Sequence, residues 1–122
     1  MFKNLRLVYI TTGSREEART IGEELVKERL AACVNIIDGM ESIYHWEGNI
    51  ESDKECILIA KTTFSNIDRL TKRVKDLHSY DVPCVISFNL AEQEGNNEYL
   101  NWLSDSVSPP SPISSKKTDS GK

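Results

Sequence analysis

Three cysteines and two histidines set the range of soft-ligand and nucleophile chemistry open to this 122-residue chain. Cys33, Cys56 and Cys84 are far apart, and each sits inside an apolar, strand-like run. An odd number of scattered thiols is the usage of reduced, buried cysteine in a reducing compartment. No Cys-x-x-Cys occurs, which argues against a structural zinc site or a thioredoxin-type centre. Cys84 follows His78 with Asp81 between them, but no nucleophile and base stand out as a pair. Thr11-Thr12-Gly13-Ser14 is an ordinary strand-to-helix turn rather than a glycine-rich phosphate cradle. Catalysis is not expected.

Composition narrows the partners. A net charge of −4 argues against nucleic acid, because phosphate contacts need a basic face. No apolar run approaches the ~18–20 residues that span a bilayer, and Met1-Phe2-Lys3-Asn4-Leu5-Arg6 leads straight into a strand without a signal-peptide core. The expected location is cytoplasmic. A hydrophobic content of 39% supports one core, so residues 1–107 read as one domain. Residues 108–122, rich in Ser, Pro and Lys, carry too little apolar surface to offset the entropy of ordering and read as a disordered tail.

The elements that must position these side chains follow from periodicity. Leu5 to Thr11 reads as a strand with two mostly buried faces. Ser14 and Glu17 form a capping box for a helix that buries Ala18, Ile21, Gly22, Leu25, Val26 and Leu30. Ser65 with Asp68 is a second cap signal, before a helix with Ile67, Leu70, Val74 and Leu77 on one stripe. Pro83 ends that region, Cys84 to Leu90 reads as a strand, and a short helix carries Tyr99, Leu100, Leu103 and Val107.

Between the two longer helices lies a hairpin. Ala32 to Ile37 and Glu41 to Trp46 form one arm, interrupted by an Asp38-Gly39 bulge. Glu47-Gly48-Asn49 turns the chain into the second arm. That arm, from about Ile50 to Lys61, spans roughly 40 Å at ~3.3 Å per residue, whereas a helix of about sixteen residues covers only ~24 Å. The hairpin therefore overhangs its own core. Cys56-Ile57-Leu58-Ile59-Ala60 is apolar on both faces, so the face away from the helices needs another cover, which a second subunit would supply. The order is α+β, a ferredoxin-like split βαβ (β-α-β-β-α-β) with a long hairpin between its second and third strands and a C-terminal helix.

The blocks Glu28-Arg29-Leu30-Ala31-Ala32-Cys33-Val34-Asn35-Ile36, Ser42-Ile43-Tyr44-His45-Trp46-Glu47-Gly48-Asn49-Ile50, Glu55 with Lys61-Thr62, His78-Ser79-Tyr80-Asp81-Val82-Pro83 and Tyr99-Leu100-Asn101-Trp102-Leu103 occur in that order. Together they resemble the CutA divalent-cation-tolerance family, from about Leu7 to Val107. The resemblance implies a ferredoxin-like homotrimer whose hairpins pack on neighbouring subunits. It also implies a role in tolerance of copper and other divalent metals. The chain departs from the family pattern in two places: Ser79 stands where the family has proline, and Leu77 where an additional histidine is often found.

By this resemblance the metal candidates are Cys33 and His78, with Glu55 third, for copper or another divalent ion held weakly. Soft Cu(I) takes thiolate and imidazole, while Cu(II) accepts imidazole and carboxylate. No two of the three stand at a local ligand spacing, so a site would need convergence in space, across subunits if necessary. The competing assignment makes Cys33 a small core hydrophobe and His78 a cation over helix C-terminal carbonyls. A different class of function is a trimeric small-molecule sensor or anchor, with Arg29, Lys61, Tyr80, Tyr99 and Trp102 lining inter-subunit grooves. Against it, Lys61 and Arg29 would pair with Glu28 or Glu55.

Overall fold

A computed structural model describes residues 3–107; the tail expected at 108–122 lies outside the described residues. The elements run β1 (Leu5–Thr12), α1 (Arg15–Lys27), β2 (Cys33–Trp46), β3 (Asn49–Thr63), α2 (Ile67–Leu77), β4 (Val85–Asn89) and α3 (Asn97–Ser106). The four strands form one antiparallel sheet in the order β2-β3-β1-β4. This is the expected split βαβ arrangement. Val8, Ile10, Cys56, Leu58 and Ala60 project from one sheet face onto Ala18, Ile21 and Leu25 of α1 and Leu70 and Val74 of α2. Alternation along β3 explains the rest, since the intervening Ile57, Ile59 and Lys61 are only partly buried on the other face.

The hairpin behaves as its length requires. β1 pairs with Cys56–Thr63 of β3, while Asn49–Glu55 pair only with β2. Seven residues of β3 thus extend about 23 Å beyond the body of the sheet. Glu47 and Gly48 both have positive φ, 49° and 82°, the two-residue turn whose twist suits a hairpin. The register shifts between Ile37 and Met40. There Gly39 takes a φ of 85° and donates its N–H to Asp38 Oδ1 at 2.8 Å, which is the expected bulge.

Three local expectations change. Val26 is 40% exposed rather than buried, because α1 ends at Lys27 and its last turn passes the edge of the core. Ser65 does not cap α2: a 3₁₀ turn at Phe64–Asn66 precedes the helix, and the Ser65 hydroxyl meets Thr63 Oγ1 at 3.2 Å instead. In the first capping box Ser14 Oγ accepts from Glu17 N–H at 3.1 Å as expected, but Glu17 accepts from Gly13 N–H at 3.0 Å rather than from the cap residue.

Outside the core, the open sheet face and the hairpin carry large apolar groups. Ile37, Ile43, Trp46, Ile50, Ile86 and Phe88 are each at least half exposed. By register Ile37, Trp46, Ile86 and Phe88 share the open face, and large apolar side chains gathered on one face mark an interaction surface.

Candidate functional site

The turn after α2 is built around His78. Its side chain is fully buried; Nε2 lies 2.8 Å from the Thr11 carbonyl, and the Tyr80 N–H donates to Nδ1 at 3.0 Å. The neutral tautomer protonated at Nε2 satisfies both contacts at once. His78 therefore pins the α2–β4 connection to the end of β1. The expectation of a cation over helix carbonyls is corrected: it is the His78 backbone N–H that reaches the Val74 carbonyl, while the ring points inward.

Glu17 completes this knot. Its carboxylate accepts from Gly13 N–H at 3.0 Å and Ser79 N–H at 2.6 Å, and lies 3.7 Å from His78 Nδ1. Burial pushes the Glu17 carboxyl up, but hydrogen bonds from Gly13 and Ser79 outweigh it and help hold it below its ordinary 4.5. A carboxyl lowered on folding contributes stability at neutral pH that is lost as pH falls through its folded value. Glu17→Gln is accordingly expected to lower stability at pH 7 and to flatten the loss on acidification below about pH 4.5. Urea unfolding at pH 7, 5 and 3 checks this; parallel curves for the two proteins would contradict it.

Beyond His78 the chain presents Tyr80, whose ring lies 4.7 Å from the His78 ring and whose hydroxyl donates to Glu55 at 2.9 Å. A side chain at Gly13 would come within 3.2 Å of that hydroxyl, so glycine there lets Tyr80 close down. On the hairpin, Tyr44 donates its hydroxyl to Asp53. These groups border a cavity of about 420 Å³ at the point where the hairpin leaves the sheet, with Trp46, Asp81 and the Cys84 thiol also on its wall. Burial and the Glu55 charge push the Cys84 thiol up, so it stays protonated at neutral pH.

Cys33 is elsewhere. It starts β2 opposite Lys61, and its half-buried free thiol lies 3.8 Å from the Tyr99 hydroxyl. Lys61 Nζ donates to the same hydroxyl at 3.1 Å and sits 5.3 Å from the ring centroid. The hydrogen bond to Tyr99 outweighs partial burial and raises the Lys61 ammonium above its ordinary value. Tyr99 and Trp102 stack along α3 at 5.4 Å. Neither basic residue finds the carboxylate expected for it. Arg29 reaches the Ser106 carbonyl at 3.2 Å, and Glu28 pairs with Arg73 at 2.9 Å instead.

The three metal candidates thus fall into two places. Glu55 and His78 are joined through Tyr80, whereas Cys33, six residues from Glu55 in β3 register, is about 20 Å away. Among the described residues, no three His, Cys, Asp or Glu side chains converge on a point that could hold a metal ion. The aromatic–carboxylate cleft had no local signal in the sequence: Asp53 and Tyr44 are hairpin residues, and only the fold brings Tyr80 and Asp81 beside them.

Comparison with known proteins gives one family. The model of the "CutA1 divalent ion tolerance protein" matches residues 6–106. The "Divalent-cation tolerance protein CutA" of Thermus thermophilus is 50% identical over 101 residues, covering 83% of this chain and 96% of the relative. The chloroplastic CutA protein of Arabidopsis thaliana is 45% identical over 101 residues, and the chain spans about half of its length, 54%. Among solved structures, the T. thermophilus protein superposes with a TM-score of 0.82 at 48% identity, covering 85% of this chain and 99% of the other. The Archaeoglobus fulgidus protein, described as periplasmic, superposes at 0.80 with 36% identity over 85% and 99% of the two chains. Among the described residues, no helix is long and apolar enough to cross a membrane.

Proposed function

The chain belongs to the CutA1 divalent ion tolerance family, and we propose that it serves tolerance of and response to copper and other divalent ions as a cytoplasmic homotrimer that binds metal weakly and without catalysis. The observation that carries the metal reading is Cys33, a free, half-buried thiol on an edge strand rather than in the core. A thiolate there is a donor for Cu(I). Among the described residues, one chain does not complete a ligand set. Glu55 or His78 would join Cys33 only from another subunit, and His78 only by giving up a hydrogen bond to Thr11 or Tyr80. Incomplete coordination of this kind means weak binding. The trimer reading is supported by the uncovered sheet face, where Ile86 and Phe88 are each 51% exposed, and by the overhanging hairpin.

Copper titration of the wild type, Cys33→Ser, His78→Ala and a Cys84→Ser control tests the metal reading. Cys33→Ser is expected to weaken Cu(I) binding by at least about tenfold, since loss of even an outer-shell partner of a ligand typically costs about 10–100-fold. Cys84→Ser should leave it unchanged. Wild-type affinity in both the Cys33 and the His78 variants would remove the proposed site.

A second reading is favoured by Lys61, whose ammonium has a tyrosine hydroxyl rather than a carboxylate as its partner. With Arg29, Tyr99 and Trp102 nearby, it suits an anionic small molecule in a groove between subunits. Tyr80, on the cleft, belongs to a separate surface of the same chain. A thermal-shift screen against nucleotides and carboxylate metabolites discriminates, since a ligand specific to the folded state must raise its melting temperature.

A further inference from the structure

The cleft at the base of the hairpin differs in charge and shape from either of these surfaces. Three aromatic side chains, Tyr44, Trp46 and Tyr80, share its wall with three carboxylates, Asp53, Glu55 and Asp81, and among the described residues no lysine, arginine or histidine lines it. At about 420 Å³ it lies within the range of small-molecule pockets. Aromatic faces attract cations through their quadrupoles, and carboxylates add directed acceptors. A divalent ion fits poorly, because it needs several oxygens within ~2.0–2.6 Å of one point and no such group converges among the described residues.

The carboxylates are instead spread and pre-oriented. Asp53 is held by the Tyr44 hydroxyl and Glu55 by the Tyr80 hydroxyl at 2.9 Å. Each keeps lone pairs for another donor, since an ionised carboxylate has about four acceptor positions. Asp53 and Glu55 alternate onto the same face of β3 with Cα atoms about 7 Å apart, a separation that a four-carbon diamine spans. The aromatic rings between and beside them offer apolar surface to a methylene chain. Negative charge is felt here: hydrogen bonding to Asp53 first, with the charges of Glu51 and Glu55, pushes the Tyr44 hydroxyl up to about 12.

We propose that this cleft binds a short aliphatic di- or polyamine, its ammonium ends on Asp53 and Glu55 and its methylenes against Tyr44, Trp46 and Tyr80. The inference shares Glu55 with the metal reading but does not depend on it, because the cleft's geometry holds without Cys33 or a bound metal. Isothermal titration of the full chain with putrescine and spermidine tests it, with tetramethylammonium chloride as a cation lacking N–H donors. Saturable binding of one amine per chain is expected, weakening as salt rises. Glu55→Gln and Asp53→Asn should each weaken it at least tenfold, Trp46→Ala several-fold, and Glu94→Gln on a distant loop not at all. Circular dichroism of each variant establishes that it is folded. No saturable heat with either amine, wild-type affinity retained in the Glu55→Gln and Asp53→Asn proteins, or tetramethylammonium binding as tightly as putrescine would each overturn the proposal.

Discussion

In the homotrimer proposed above, replacing Ile86 and Phe88 together by aspartate is expected to yield a folded protein of one third the wild-type mass. Both side chains stand on the open face of β4, half exposed in the single chain, so neither supports the core packed beneath the helices. In a trimer closed over this face they would be buried. Each introduced carboxylate would then have to leave water without a partner, at a cost of several kcal/mol per ion. Repeated in every subunit, this raises the dissociation constant by on the order of a thousandfold or more, at ~1.4 kcal/mol per tenfold. Light scattering at micromolar concentration measures the mass, and far-ultraviolet circular dichroism should be unchanged. A double variant that stays trimeric would place the interface elsewhere.

His78→Ala is expected to cost about 2–4 kcal/mol of folding stability, the sum of a lost buried ring and of polar groups left without partners. The Thr11 carbonyl and the Tyr80 N–H both lose their bond to the imidazole, and Glu17 loses a neighbour at 3.7 Å. The damage should reach the cleft, because Tyr80 is placed by this ring and in turn holds Glu55. Urea unfolding gives the stability, and copper titration of the same protein gives its metal affinity. A large loss of stability with unchanged copper affinity assigns His78 a positioning role; retained stability with lost affinity would make it a ligand.

The two experiments interrogate different parts of one chain. Ile86 and Phe88 report on assembly, while His78 reports on how the α2–β4 turn is fixed to β1. A trimer disrupted at the sheet face should retain the His78–Glu17–Tyr80 knot, since every bond in it lies within one subunit. Tyrosine and tryptophan fluorescence from the cleft in the monomeric variant would therefore show whether the cavity survives without neighbours.

Local pattern carried most of the fold. The periods of β1, α1, α2 and β3 mark which side chains face the core, and Gly48 and Gly39 stand where φ is positive, so the hairpin and its bulge are readable from a few residues. Its excess length was equally legible, because strand rise and helix rise are constants of the backbone. Errors arose at element ends. Val26 fits the apolar stripe but falls where α1 has already run past its cover, and Ser65 has the right residue type for a cap that a 3₁₀ turn displaces.

The site was far less legible. Residue types at Cys33, Glu55 and His78 suggest ligands, yet their surroundings come from distant segments: Thr11 is 67 residues from His78, and Tyr99 is 66 from Cys33. Periodicity states which face a side chain takes, not what meets it there. By itself the sequence determined the order of elements, the overhanging hairpin and an apolar sheet face in need of cover, since these follow from spacing along the chain. Only the tertiary structure decided that His78 is consumed by backbone contacts, that Cys33 lies apart from Glu55, and that tyrosines and carboxylates enclose a cleft. Those outcomes depend on register and packing between elements, where a shift of one residue exchanges one face for the other.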